Sequence, residues 1–113
     1  MAENLVLETS DRGDLTVVSV TGEVDLYTAP SLKERVADLV SGGRNRIAVD
    51  LAGVEFMDST GLGVLIGGLK RCKEAGGSLT LVAPREPVLK VLAITGLDKV
   101  LSVHDTVEQA SSS

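Results

Sequence analysis

The sequence predicts an α/β fold: a mixed, mostly parallel sheet of four to five strands, opened by an antiparallel hairpin and packed against about four helices. Three observations predict it. Short apolar runs alternate along the chain with stretches whose apolar residues recur at helical spacing, the pattern of βαβ units with right-handed crossovers. The first two apolar runs are separated only by Asp11-Arg12-Gly13-Asp14, too short for a crossover, so that pair is antiparallel. Ile47-Ala48-Val49-Asp50-Leu51 is almost continuously apolar, as in a central strand covered on both faces.

The elements follow in order. Leu5-Val6-Leu7 and Leu15 to Val20 are the hairpin strands. Thr28-Ala29-Pro30 opens a helix, with Thr28 as N-cap and Pro30 in the first turn, where a missing N–H costs nothing. Leu32, Val36, Leu39 and Val40 form its apolar face, and Gly42-Gly43 stops it. Arg46 to Leu51 is the central strand, and Leu62 to Ala75 an amphipathic helix ended by Gly76-Gly77. Leu79 to Val82 is a strand, Pro87 to Ile94 a short helix closed by Thr95-Gly96, and Val100 to Val103 a last short strand. Asp105 or Thr106 caps a terminal helix, and Ser111-Ser112-Ser113 is a frayed tail.

At 113 residues the chain makes one domain, 1–113, with a single core. Hydrophobic residues are 43% and aromatics only 2%, so the core is aliphatic and no aromatic platform for single-stranded nucleic acid exists. The net charge of −5 repels nucleic acid and anionic membranes and favours a basic protein surface as partner. One cysteine, Cys72, excludes an internal disulfide and falls on a core face. With the single His104 it leaves no metal-ligand cluster and no Ser/His/Asp triad. No Gly-rich phosphate loop or nucleophile elbow is present. No cofactor and no enzymatic activity are implied. The N-terminus lacks the regions of a signal peptide and no apolar run has transmembrane length, so a cytoplasmic protein is expected.

The run Phe56-Met57-Asp58-Ser59-Thr60-Gly61-Leu62-Gly63 carries the most information. It places Ser59 at a strand-to-helix turn, where free N–H groups and the positive end of a helix dipole converge. On pattern alone the turn is a plain helix start or a serine that carries a phosphate. Two adjacent hydroxyls, the apolar pair Phe56-Met57 and an unusual glycine content favour the second. Gly61, Gly63, Gly67 and Gly68 share one helix, at a cost of roughly 3–4 kcal/mol relative to alanine. On a helical projection Leu62, Leu65, Ile66, Leu69 and Cys72 face the core, with Gly61 and Gly68 at its edge. Gly63 and Gly67 fall on the opposite side with Ser59, Lys70 and Glu74, and Val64 lies at that side's margin. These glycines are either tolerated packing residues or a smooth groove that another backbone can approach. Asp50 reads as a hydrogen-bonding group at the end of the central strand.

The combination Gly22-Glu23-Val24-Asp25, Val49-Asp50-Leu51 and Met57-Asp58-Ser59-Thr60-Gly61-Leu62-Gly63 resembles the anti-sigma factor antagonists, which are single STAS domains. Val91-Leu92 followed by Thr95-Gly96-Leu97-Asp98 is similar to the family's later helix and turn, so the resemblance spans almost the whole chain. It implies that the unphosphorylated protein binds an anti-sigma factor, a histidine-kinase-like serine kinase, and releases a sigma factor. Phosphorylation at Ser59 blocks that binding, and a serine phosphatase resets it. The partner-binding residues expected are Asp25 and Asp58 from the resemblance, Tyr27 and Thr28 beside Asp25, Thr60 (also an alternative acceptor) and Gly61 beside Ser59, and Gly63, Val64 and Gly67 from the helical projection. The alternative within the same fold is a non-phosphorylated docking subunit of a membrane transport complex. A two-component receiver phosphorylated at Asp50 is disfavoured by the opening hairpin.

Overall fold

The computed structural model describes residues 5–112. Five strands form one sheet in the order β1-β2-β3-β4-β5. The strands are β1 (Leu5–Arg12), β2 (Leu15–Val24), β3 (Arg46–Met57), β4 (Ser78–Val82) and β5 (Ser102–His104). β1 and β2 are antiparallel and every later pairing is parallel. Four helices join and follow them: α1 (Ala29–Ser41), α2 (Ser59–Glu74), α3 (Glu86–Thr95) and α4 (Val107–Ser111), with a 3-10 turn at Leu97–Lys99. The expected class, strand count and helix count hold.

Alternation along the strands explains the layering. Val18, Ile47, Val49, Leu51, Leu79 and Leu81 turn to one face and form a buried core with Leu32 and Val36 of α1, Leu62, Leu65 and Leu69 of α2, and Val88 and Leu92 of α3. The residues between them, Leu15, Val17, Ala48 and Val82, turn to the other face. There they form a small cluster under Ala110 of α4. The central strand is thus apolar at nearly every position because helices cover it on both sides.

Several boundaries differ from expectation. The hairpin turn is only Gly13-Asp14, because Arg12 already pairs with Leu15 and Gly13 takes φ +65°. β2 and β3 run on to Val24 and Met57, past the points where apolar alternation breaks. Their register shifts between Ser19 and Thr21 and again between Gly22 and Glu23, so bulges hide the continuation from a period-two reading. The last strand is Ser102–His104 and not Val100–Val103, since Leu101 N–H is bonded back to the Leu97 carbonyl at 2.8 Å. Thr106, not Asp105, caps α4: its hydroxyl accepts from Gln109 N–H at 3.1 Å, while Gln109 Oε1 accepts from Asp105 N–H at 2.9 Å. Ser111 belongs to α4 and not to a tail; Ser113 lies outside the described residues. Asp50 sits inside β3, half-buried, its Oδ1 accepting from Ala52 N–H at 3.0 Å. Among the described residues no helix is long and apolar enough to cross a membrane.

Gly61 decides how closely α2 approaches the sheet. A Cβ there would sit 2.7 Å from both Met57 Cγ and Val24 Cγ1, and 3.2 Å from the Val24 carbonyl oxygen. Val24 is fully buried and β-branched, so it has no room to yield. Gly61→Ala is therefore expected to lower the unfolding free energy by about 1–2 kcal/mol, overpacking outweighing the gain in helix propensity. Urea denaturation checks this; an unchanged or raised midpoint would contradict it.

Candidate partner-binding and phosphoacceptor site

The site begins where β3 ends. Val24 pairs with Met57, and Asp58 N–H donates to the Val24 carbonyl at 3.1 Å, so the ladder holds the turn up to Asp58. Asp58 is extended (φ −97°, ψ −173°), and its Oδ1 accepts from Gly61 N–H at 3.1 Å. Its own carbonyl accepts the first helical bond from Leu62 at 3.1 Å. Asp58 is thus the N-cap of α2 and Ser59 its first helical residue. Ser59 is exposed, Thr60 half-buried. No acidic residue occupies the first turn of α2, whereas Arg71 and Lys73 occupy the last, an arrangement that suits the helix dipole and leaves its positive end open to an anion.

The loop after β2 lies beside this turn, because Val24 both receives the Asp58 N–H and packs against Gly61. Asp25 Oδ1 accepts from Tyr27 N–H at 2.9 Å and from Thr28 N–H at 3.0 Å, with the Thr28 hydroxyl at 3.2 Å. The single proton of that hydroxyl is shared between Asp25 Oδ1 and the nearer Glu23 carbonyl at 2.7 Å, and its oxygen accepts from Asp25 N–H at 2.9 Å. Thr28 is therefore a buried staple of its own loop. Thr28 occupies the N-cap position of α1 as expected, but its hydroxyl caps no helical N–H: it is engaged by the Glu23 carbonyl and Asp25 N–H, Pro30 has no N–H to offer, and Ser31 N–H bonds the Thr28 carbonyl at 3.0 Å. The knot presents Leu26 and Tyr27 to water at 62% and 87% exposure, and Phe56 near the end of β3 is 50% exposed.

The implied contact residues thus divide. Ser59, Tyr27, Gly63 and Gly67 are exposed, and Asp25, Asp58, Thr60 and Val64 are half-buried at the same end or along the same helix. Gly61 and Thr28 are buried. In the isolated chain both have a structural part: Gly61 seats the helix against Val24 and Thr28 ties the loop to the Glu23 carbonyl. Cys72 is buried, and burial pushes its thiol up despite the nearby Arg71 charge. Leu26 and Phe56 were not singled out as contacts. The signal was an apolar pair, Leu26-Tyr27, in a loop between two polar turn residues.

With this geometry in view, the relatives are informative. The STAS domain model matches residues 6–110. An anti-sigma-B factor antagonist from Staphylococcus epidermidis is 36% identical over 93% of this chain and 97% of its own length. One from Bacillus subtilis (strain 168) is 40% identical over 76% and 78%. A crystal structure of an anti-sigma factor antagonist from Mycobacterium paratuberculosis superimposes with a TM-score of 0.86, at 30% identity, covering 96% of this chain and 92% of that one.

The Asp25 knot has a pH signature. The Thr28 N–H above all holds the Asp25 carboxyl below its ordinary range; burial opposes it, and the Tyr27 N–H and the Thr28 hydroxyl each add a smaller lowering. A depressed folded pKa contributes loop stability that is present above the unfolded value and lost as pH falls through the folded one. The Tyr27 and Thr28 amide resonances should therefore titrate with a midpoint below about 3.9, and Asp25→Ala should abolish that titration. A midpoint at or above the ordinary value would contradict the knot. On sequence, fold and turn geometry together, the chain belongs to the STAS domain family and groups there with anti-sigma factor antagonists.

Proposed function

We propose that this chain acts as a phosphorylation-controlled anti-sigma factor antagonist. Its unphosphorylated form binds an anti-sigma factor that is also a serine kinase, freeing a sigma factor. The kinase phosphorylates Ser59, the phosphorylated form lets go, and a serine phosphatase restores it. The observation that carries the reading is the exposure of Ser59 as first residue of a helix capped by Asp58. In this role the chain is a substrate and ligand of enzymes, with no catalysis of its own, and it works in the cytoplasm, where sigma factors meet RNA polymerase.

The energetics favour a switch by blocking. A phosphate adds about −1.5 to −2 charge at neutral pH. At a helix N-terminus that charge is favoured by about 0.3–1 kcal/mol, so the fold tolerates it. Inside an interface an unpaired charge costs about 3–5 kcal/mol, which is roughly a hundredfold to a few thousandfold in affinity. Glu23, Asp25, Glu55 and Asp58, on the strands and turns that converge at this end, add like-charge repulsion. The Tyr27 loop, Asp58, Thr60 and the exposed Gly63, Val64 and Gly67 side of α2 form the surrounding contact surface.

Ser59→Glu should weaken binding to the cognate anti-sigma factor at least a hundredfold and leave the circular dichroism spectrum unchanged. Ser59→Ala should bind and take up no phosphate from that kinase. A Ser59→Ala protein labelled like wild type would refute the assignment.

A further inference from the structure

A groove of about 390 Å3 runs between α1 and α2. Thr60, next to Ser59, lies at one end, and Arg71 is eleven residues further along α2, about three turns or roughly 16 Å away. Buried Val36 and half-buried Val64 give it an apolar lining, with Gly63 and Gly67 between. These two glycines differ from their helix neighbours. A Cβ at Gly61 or Gly68 would meet Val24 at 2.7 Å or Leu79 at 3.0 Å, whereas one at Gly63 or Gly67 would meet nothing within 4 Å. Packing within the domain therefore gives no reason for the smallness of Gly63 and Gly67, and helix propensity opposes it. Their four-residue spacing leaves two bare backbone patches one turn apart, the surface on which a second helix crosses at short range.

The charge of the groove is the reverse of the chain's. The protein has 16 acidic and 11 basic residues, yet the charged residues lining the groove are Lys33 of α1 and Arg71 of α2. Both are exposed, and neither takes part in an ion pair among the described residues, where the pairs are Arg12–Glu108 and Arg44–Asp11. Two unopposed cations beside an apolar, glycine-lined channel are complementary to a carboxylate-bearing surface.

We propose that the groove receives an α-helix of the anti-sigma factor, with small residues at its crossing point and acidic residues facing Lys33 and Arg71. This rests on the function proposed above and names the partner element that function requires. It also gives the phosphate a target: a dianion on Ser59, next to Thr60, repels the acidic helix seated alongside.

The test uses the purified cognate anti-sigma factor in binding titrations against wild type, Ser59→Glu, a Lys33→Glu/Arg71→Glu double variant and Gly67→Leu. The double variant should bind at least tenfold more weakly, with a shallower salt dependence. Gly67→Leu should melt above wild type, leucine being the better helix former, and still bind at least tenfold more weakly. A photo-crosslinking residue replacing Gly63 should label an acidic helical segment of the anti-sigma factor. If both groove variants bind like wild type while Ser59→Glu does not, the groove inference is overturned and the switch stands. Crosslinks to a second copy of this chain, or to a strand or loop of the partner, also overturn it. If wild type does not bind the anti-sigma factor at all, the functional reading itself fails.

Discussion

The parallel pairing of β2 with β3 extends one step beyond the last paired residues, through the hydrogen bond from Asp58 N–H to the Val24 carbonyl at 3.1 Å. From that bond the position of Ser59 follows. Asp58 is held extended by the ladder on one side, and on the other its carboxylate takes Gly61 N–H, so the chain turns sharply from strand to helix. Gly61 then lies against Val24 with no space for a side chain, which brings the start of α2 down onto the ends of β2 and β3. With its neighbours fixed by backbone bonds and close packing, Ser59 projects outward. Its exposure is a consequence of how the sheet ends.

The same strand end organises the second loop. Val24 leads directly into Asp25, whose carboxylate and the Thr28 hydroxyl tie a short knot that keeps Leu26 and Tyr27 in water. Holding apolar side chains exposed on a fixed loop reduces the ordering cost of an encounter with another protein. One rigid end of the domain thus carries an exposed hydroxyl, exposed apolar side chains and a bare helix face. Under the proposed function, phosphorylation of Ser59 changes charge where shape is already set.

Much of this was readable in the sequence, and the failures have physical causes. The alternating elements, the short opening hairpin and the Asp58-Ser59-Thr60-Gly61 turn follow from local chemistry that needs no tertiary information. The contrast between Gly61 and Gly68 at the core edge and Gly63 and Gly67 outside followed from helical projection alone. The continuation of β3 to Met57 did not, because two bulges, each an extra residue in β3 opposite β2, break the alternation that marks a strand. Thr28 reads as an N-cap in any linear scan and takes that position; only the folded loop shows that its hydroxyl turns back to the Glu23 carbonyl and Asp25 N–H and caps no helical N–H. Lys33 and Arg71 lie on different helices, so their meeting across one groove depends on how α1 docks beside α2.

In the proposed function, charge at residue 59 acts on a preformed surface without reshaping it. Amide hydrogen exchange on the phosphorylated and unphosphorylated protein, compared residue by residue, tests this most directly. Equal protection is expected along α2 and the Asp25–Thr28 loop in both forms, with at most a gain in the first turn of α2, where the phosphate meets the helix dipole. Loss of protection over α2 or the loop on phosphorylation would show that the modification works by local unfolding and not by charge on a fixed surface.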